Sequence, residues 1–180
     1  MPKMFPKYVW ADAVLTADEC SLIVDKGKQN MRRANTENNN PGDYRTGSIG
    51  WLLKGENPEL DPVLEKVIQT FGQIVHDYFR GVQLQKIEPI QFTHYQEGDH
   101  FDWHYDAFAG EDQPVRLFSA SMELSDPSSY DGGGLEFHTL NPPVPERKLG
   151  RLIVFPSLLL HRARKVDAGE RTSLVLWGGV

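Results

Sequence analysis

Past residue 86 the sequence breaks into seven short runs rich in β-branched and aromatic residues, at 87–95, 103–107, 115–124, 135–138, 152–155, 162–166 and 173–177. Gly, Pro, Asn and Asp fence them off, and runs of that length with turn residues between them suit strands. So many strands need a second layer to bury their apolar face, and the first half of the chain supplies helical material for it. The pattern predicts an α+β protein: a two-sheet sandwich or jelly roll with helices packed on one sheet.

Two helices are expected before the strands. Thr16 and Glu19 are spaced as a capping box, and Leu22, Ile23 and Lys26 continue a helical stripe to about residue 28. The second is clearer: Asp61 is placed to cap it, Pro62 suits its first turn and Gly81 its end. Between them Val63, Leu64, Val67, Phe71, Ile74, Val75 and Tyr78 recur at three- and four-residue spacing, an apolar face for the core. Residues 35–50, rich in Asn, Gly and Pro, read as a long loop, and Gly132 to Gly134 as a hairpin turn. No internal repeat or boundary divides the chain, so one domain of 1–180 is expected, with helical support over 1–82 and a jelly-roll core over 83–180.

The 180 residues carry a formal net charge of −6, which offers no electrostatic footprint for a phosphate backbone, so a nucleic-acid partner is not expected. The one cysteine, Cys20, lies on the first helical stripe as a small hydrophobe and makes no internal disulfide. No run is apolar for long enough to cross a membrane, and the amino-terminal residues lack the apolar stretch of a signal peptide. The expectation is a cytoplasmic protein.

His104 and Asp106 stand two apart in a strand-like run, so an imidazole and a carboxylate share a face. His161, far downstream, would complete the two-histidine, one-carboxylate set of non-haem iron(II) sites, although a zinc site can use the same donors. A second pair, His100 and Asp102, has the same facing, and parity does not separate the two. Arg171 and Ser173 are again two apart and can jointly hold a carboxylate.

Taken together, residues 45–177 resemble the prolyl-4-hydroxylase-like branch of the iron(II)- and 2-oxoglutarate-dependent oxygenases, in its short microbial or phage-like form. Tyr95, nine residues before His104, matches an active-site Tyr of the collagen-type enzymes, and that spacing favours His104 and Asp106 over His100 and Asp102. The resemblance implies a double-stranded β-helix core and Fe(2+) on His104, Asp106 and His161. It implies 2-oxoglutarate held by Arg171, Ser173 and Tyr95, O2 as co-reactant and ascorbate as reductant. It further implies a proline-containing peptide or protein as substrate, met by Arg116, Trp103 and Arg45. Rival readings are hydroxylation of a free amino acid or other small molecule, and a metal-binding jelly-roll module without turnover. Two departures stand out: Phe101 replaces a frequent Tyr, and Glu123 falls where some relatives place a Tyr that helps bind 2-oxoglutarate. A carboxylate facing that anion would repel it, so Glu123 is expected to point elsewhere or to be displaced by a register shift.

Overall fold

The computed structural model describes residues 6–34, 44–107, 115–140 and 145–179. After β1 (Val9–Ala11) come helix α1 (Ala17–Gly27), β2 (Arg32–Arg33), β3 (Ser48–Leu52) and helix α2 (Asp61–Tyr78). The strands β4 (Lys86–Ile87), β5 (Ile90–Tyr95), β6 (Phe101–His104) and β7 (Phe118–Glu123) follow. Then β8 (Tyr130–Gly132), β9 (Leu135–Phe137), β10 (Leu152–Pro156), β11 (His161–Ala163), β12 (Val166–Gly169) and β13 (Arg171–Gly179) complete the chain.

The large sheet runs β1-β10-β7-β13-β5-β3-β2, with β4 paired to the end of β13. A three-stranded sheet, β6-β11-β9, and a two-stranded ribbon, β12-β8, form the opposing layer. Parity divides the large sheet cleanly. One face carries Phe92, Leu174, Leu176, Ala120, Met122, Leu152 and Val154, which form the main core with Val67, Phe71 and Val75 of α2. At roughly 1.5–3 kcal/mol for each fully buried apolar side chain, this layer is the chief source of stability. The other face carries Tyr95, Thr93 and Gln91 of β5 beside Arg171, Ser173 and Val175 of β13, and it lines a cavity closed by the small sheet.

α1 begins as its sequence predicts, with Thr16 Oγ accepting from the Glu19 amide and Glu19 reaching back to Thr16. α2 does not: Leu60 occupies the cap position with no side-chain hydrogen bond, and Asp61 is already helical. The Asp61 carboxylate is taken instead by the Gly55 amide of the preceding turn, at 2.8 Å. Gly81 does follow the helix in a left-handed conformation, at φ 72°, and donates to the His76 carbonyl.

Three further expectations give way. Of the loop expected over 35–50, residues 35–43 lie outside the described residues, and its end is the start of β3, whose Gly50 lies opposite Phe92 where the end of α1 crosses. Glycine there serves close approach rather than a turn, a distinction composition does not carry. Gly132 and Gly133 do not close a hairpin: β8 pairs with β12 and β9 with β11, so they bend one arm of a ribbon whose partner arm is β11 and β12. Both have positive φ, and a Cβ on Gly132 would sit 2.2 Å from the Lys165 carbonyl oxygen. Finally β6 stops at His104, so Asp106 lies in a bend beyond the strand and is held by its amide, which donates to the Ser157 carbonyl at 3.0 Å. No helix among the described residues is long and apolar enough to cross a membrane.

Candidate metal centre and cosubstrate pocket

His104 ends β6 and His161 opens β11, directly opposite one another in the register. The bend after β6 returns Asp106 to the same point, and one donor atom from each of the three lies within 4.8 Å of the others. His104 Nδ1 is 2.7 Å from the Asp102 carbonyl and His161 Nδ1 is 2.8 Å from the Leu159 carbonyl. A carbonyl can only accept, so both imidazoles carry their proton on Nδ1 and turn an Nε2 lone pair inward. Those nitrogens approach Asp106 at 3.6 and 3.4 Å. Asp106 Oδ2 is buried without a hydrogen-bond partner. Two lone pairs aimed at an orphaned carboxylate repel unless a cation sits among them, and the donor set therefore fits a divalent ion.

Electrostatics agree with that arrangement. Burial and the neighbouring His161 push His104 down to about 4, so it stays a neutral ligand at physiological pH. The Phe101 ring stacks on His104 at 3.6 Å between centroids and fixes its plane.

The second H-x-D pair does not converge. The Asp102 carboxylate accepts from its neighbour's amide, Trp103 N–H, at 2.8 Å, and the His100 amide donates to Thr46. His94 faces the other side of β5 and pairs with Glu170, and His138 packs edge-on against Trp103.

Across the cavity from the three donors stands Arg171, the first residue of β13, only 3% exposed. Tyr95 lies beside it in the register, and Ser173, one pleat along, bonds Thr93 at 2.6 Å between hydroxyls. Gly47, at φ 102°, leaves room for the Tyr95 ring, which a Cβ would meet at 2.9 Å. Of the two outcomes expected for Glu123, its register does not shift, since it stands opposite Ser173, but its carboxylate does point away from the metal-facing cavity, into a smaller hollow where it accepts from Arg171 Nε at 3.1 Å. Burial opposes the positive charge on Arg171, and Glu123 more than restores it.

The expected substrate residues separate. Arg45 lines the cavity, donates to Gln91 at 2.8 Å and covers the Phe101 ring. Trp103 lies on the outer side of β6 under Arg162. Arg116 is occupied: it forms a two-point pair with Glu88 at 2.6 and 2.7 Å and stacks on Trp177. Thr93, Gln91 and Trp177 also line the cavity and escaped the sequence reading. The signal was present, since they share parity with Tyr95 and with Arg171 and Ser173.

An antiparallel barrel that aims two histidines and a carboxylate at one face of an ion, with an arginine anchor in the same cavity, defines a non-haem metal oxygenase scaffold. Residues 90–178 match the family model of the 2OG-Fe(II) oxygenase superfamily, and the chain belongs to that superfamily. A PKHD-type hydroxylase of Teredinibacter turnerae is 35% identical over 117 residues, 62% of this chain and 51% of the relative. Another, from Shewanella sp., is 36% identical over 144 residues, covering 74% and 64%. The chain thus spans about half the length of the first of these curated relatives. Among solved structures, a viral collagen prolyl hydroxylase from Paramecium Bursaria Chlorella virus-1 superposes with TM-score 0.76 at 21% identity, covering 97% of both chains. A Pseudomonas putida prolyl-4-hydroxylase gives TM-score 0.76 at 23% identity over 97% of this chain and 93% of its own. At those identities the likeness speaks for the fold alone, a jelly roll with helices on one sheet.

Proposed function

We propose that this chain is an iron(II)- and 2-oxoglutarate-dependent hydroxylase acting on proline in a peptide or protein. The observation that carries the oxygenase reading is the inward pair of Nε2 lone pairs around the orphaned Asp106 oxygen, in one cavity with a buried arginine. His104, Asp106 and His161 would hold the iron, and Arg171 with Ser173 and Tyr95 would hold the distal carboxylate of 2-oxoglutarate. A metal held by these residues would supply oxygen activation coupled to decarboxylation of the cosubstrate. The protein's residues orient the two partners: neutral His104 keeps its lone pair available, and the buried arginine fixes the cosubstrate lengthwise.

Among the described residues, two side chains that line the cavity keep a buried donor without a partner, Arg45 Nε and Trp177 Nε1. A small rotation of either side chain would offer it to a substrate oxygen, and a peptide carbonyl suits them. Prolyl peptides also lose less freedom on binding, because the ring already fixes φ. The names of the relatives and structural neighbours, several of them prolyl hydroxylases, support the same class. Arg116, held by Glu88, supports the Trp177 wall rather than reaching substrate. The same free donors would take the carboxylate of a free amino acid, which is the second reading.

The test is mass spectrometry of proline-containing peptides, and of free L-proline, after incubation with iron(II), ascorbate and 2-oxoglutarate. A gain of one oxygen on peptidyl proline with matching succinate is the expected result. Hydroxylation of free proline alone would transfer the assignment to the small-molecule reading. Metal uptake with no succinate from any substrate would leave a binding module.

A further inference from the structure

A buried carboxylate, Glu123, stands beside the cosubstrate anchor. Glu123 is 8% exposed and sits on β7 in one row with Ser173 and Thr93, all facing the barrel interior. Its Oε2 accepts from Arg171 Nε, while its Oε1 is buried with no hydrogen-bond partner. It lines a smaller hollow behind Arg171, away from the metal-facing cavity.

Other cations of that hollow are committed elsewhere. Arg151 is bound to Asp12 and Glu146, Lys148 pairs with the same two carboxylates, and Arg147 donates to the Gly132 carbonyl. Arg171 is therefore the nearest partner of Glu123, and the pair is close to neutral before any ligand arrives.

Two consequences follow from this geometry. A guanidinium gripped through Nε presents its two Nη groups to the cavity in a fixed plane, which suits two-point recognition of a carboxylate. A fixed anion on the same row also repels the carboxylate that Arg171 is there to bind, and in a dry site such repulsion is large.

We infer that Glu123 is a positioning residue that orients Arg171 and at the same time sets a deliberately weak affinity for 2-oxoglutarate. The inference rests on the proposed cosubstrate site. The buried arginine is stabilised in the empty protein at the expense of ligand binding, so occupancy follows the supply of 2-oxoglutarate instead of saturating at low concentration. A purely structural ion pair predicts one sign for both properties: weaken the pair, and stability and binding fall together. The positioning role predicts opposite signs.

The experiment measures 2-oxoglutarate binding by calorimetry, with manganese(II) in place of iron to prevent turnover, together with the melting temperature with and without ligand. Glu123→Gln keeps an oxygen acceptor for Arg171 Nε and removes the charge. It is expected to melt lower than wild type when empty and to bind 2-oxoglutarate at least fivefold more tightly. Glu123→Ala also removes the acceptor, and it should melt lower without that gain in affinity. Binding in Glu123→Gln no tighter than wild type overturns the inference. Equal tightening in both variants overturns the orienting role. The underlying site is tested separately: wild-type protein that takes up no 2-oxoglutarate, or an Arg171→Ala variant that binds it normally, sinks the cosubstrate assignment itself.

Discussion

At the scale of single residues, the site depends on which atom of each side chain is left free. The main-chain carbonyls of Asp102 and Leu159 decide that for both histidines, and burial decides it for Asp106. Replacing His161 by Ala should abolish stoichiometric binding of iron(II) or manganese(II), measured by calorimetry, while the circular dichroism spectrum of the empty protein stays native. Retained binding in that variant, with loss in His100→Ala, would move the centre to the other H-x-D pair. Arg171→Ala should weaken 2-oxoglutarate at least tenfold, because losing a buried two-point contact costs about 2–5 kcal/mol. His104 and Asp106 were legible as a pair two apart in a strand-like run and His161 as a lone histidine after an apolar one, but only the family resemblance, through the interval from Tyr95, set that pair above His100 and Asp102. For Glu123 the expectation was right that its carboxylate avoids the metal-facing cavity and missed the partner that holds it there. A one-dimensional reading sees a charge opposing the incoming anion and does not see that Arg171 Nε needs an acceptor when no anion is there.

At the scale of elements, the two glycines of the helical layer have opposite meanings. A Cβ on Gly27, at the end of α1, would meet the Phe92 ring at 2.6 Å, whereas one on Gly72 in α2 meets nothing within 4 Å. Gly27→Ala is therefore expected to destabilise the fold by about 1–3 kcal/mol through overpacking. Gly72→Ala should stabilise it by about 0.5–1 kcal/mol, by restricting the unfolded chain and improving helix propensity. Urea titration of the two variants checks both signs, and equal shifts would refute the contrast. The long elements were readable, α2 by its apolar stripe and β13 and β5 by their alternation. The short ones were not: β2 has two residues, and β3, which follows a polar stretch, is interrupted by a glycine needed for helix approach. The expected run over 162–166 splits between β11 and β12 where the partner arm bends at Gly132 and Gly133, the Gly133 amide donating to the Lys165 carbonyl between the two strands.

At the scale of the whole molecule, distant segments are tied by a few polar links. Glu170, just before β13, accepts from Lys28 after α1 at 3.0 Å and meets His94 of β5 at 2.9 Å. His94 and then Lys28 pull its carboxyl down from an ordinary 4.5 to about 2. A depressed folded-state value means that this stabilisation is complete above the unfolded pKa and is lost as pH falls from about 4.5 towards 2. The Glu170→Gln variant should accordingly melt below wild type at pH 6 and close to it near pH 2, the exposed pair being partly screened by solvent. A gap that stays constant with pH would remove the linkage. The division into two layers reaches further than the chemistry. His104 and His161 ride on the small sheet and Arg171 and Ser173 on the large one. On the proposed reading, a keto diacid gripped at both ends is a rivet through two leaves that otherwise meet where Phe137 packs on Ile153 and Phe155. Its presence would be felt as stiffness, in resistance to proteases and to heat. The cell's supply of the compound would then govern how long each molecule survives, as well as how often it reacts.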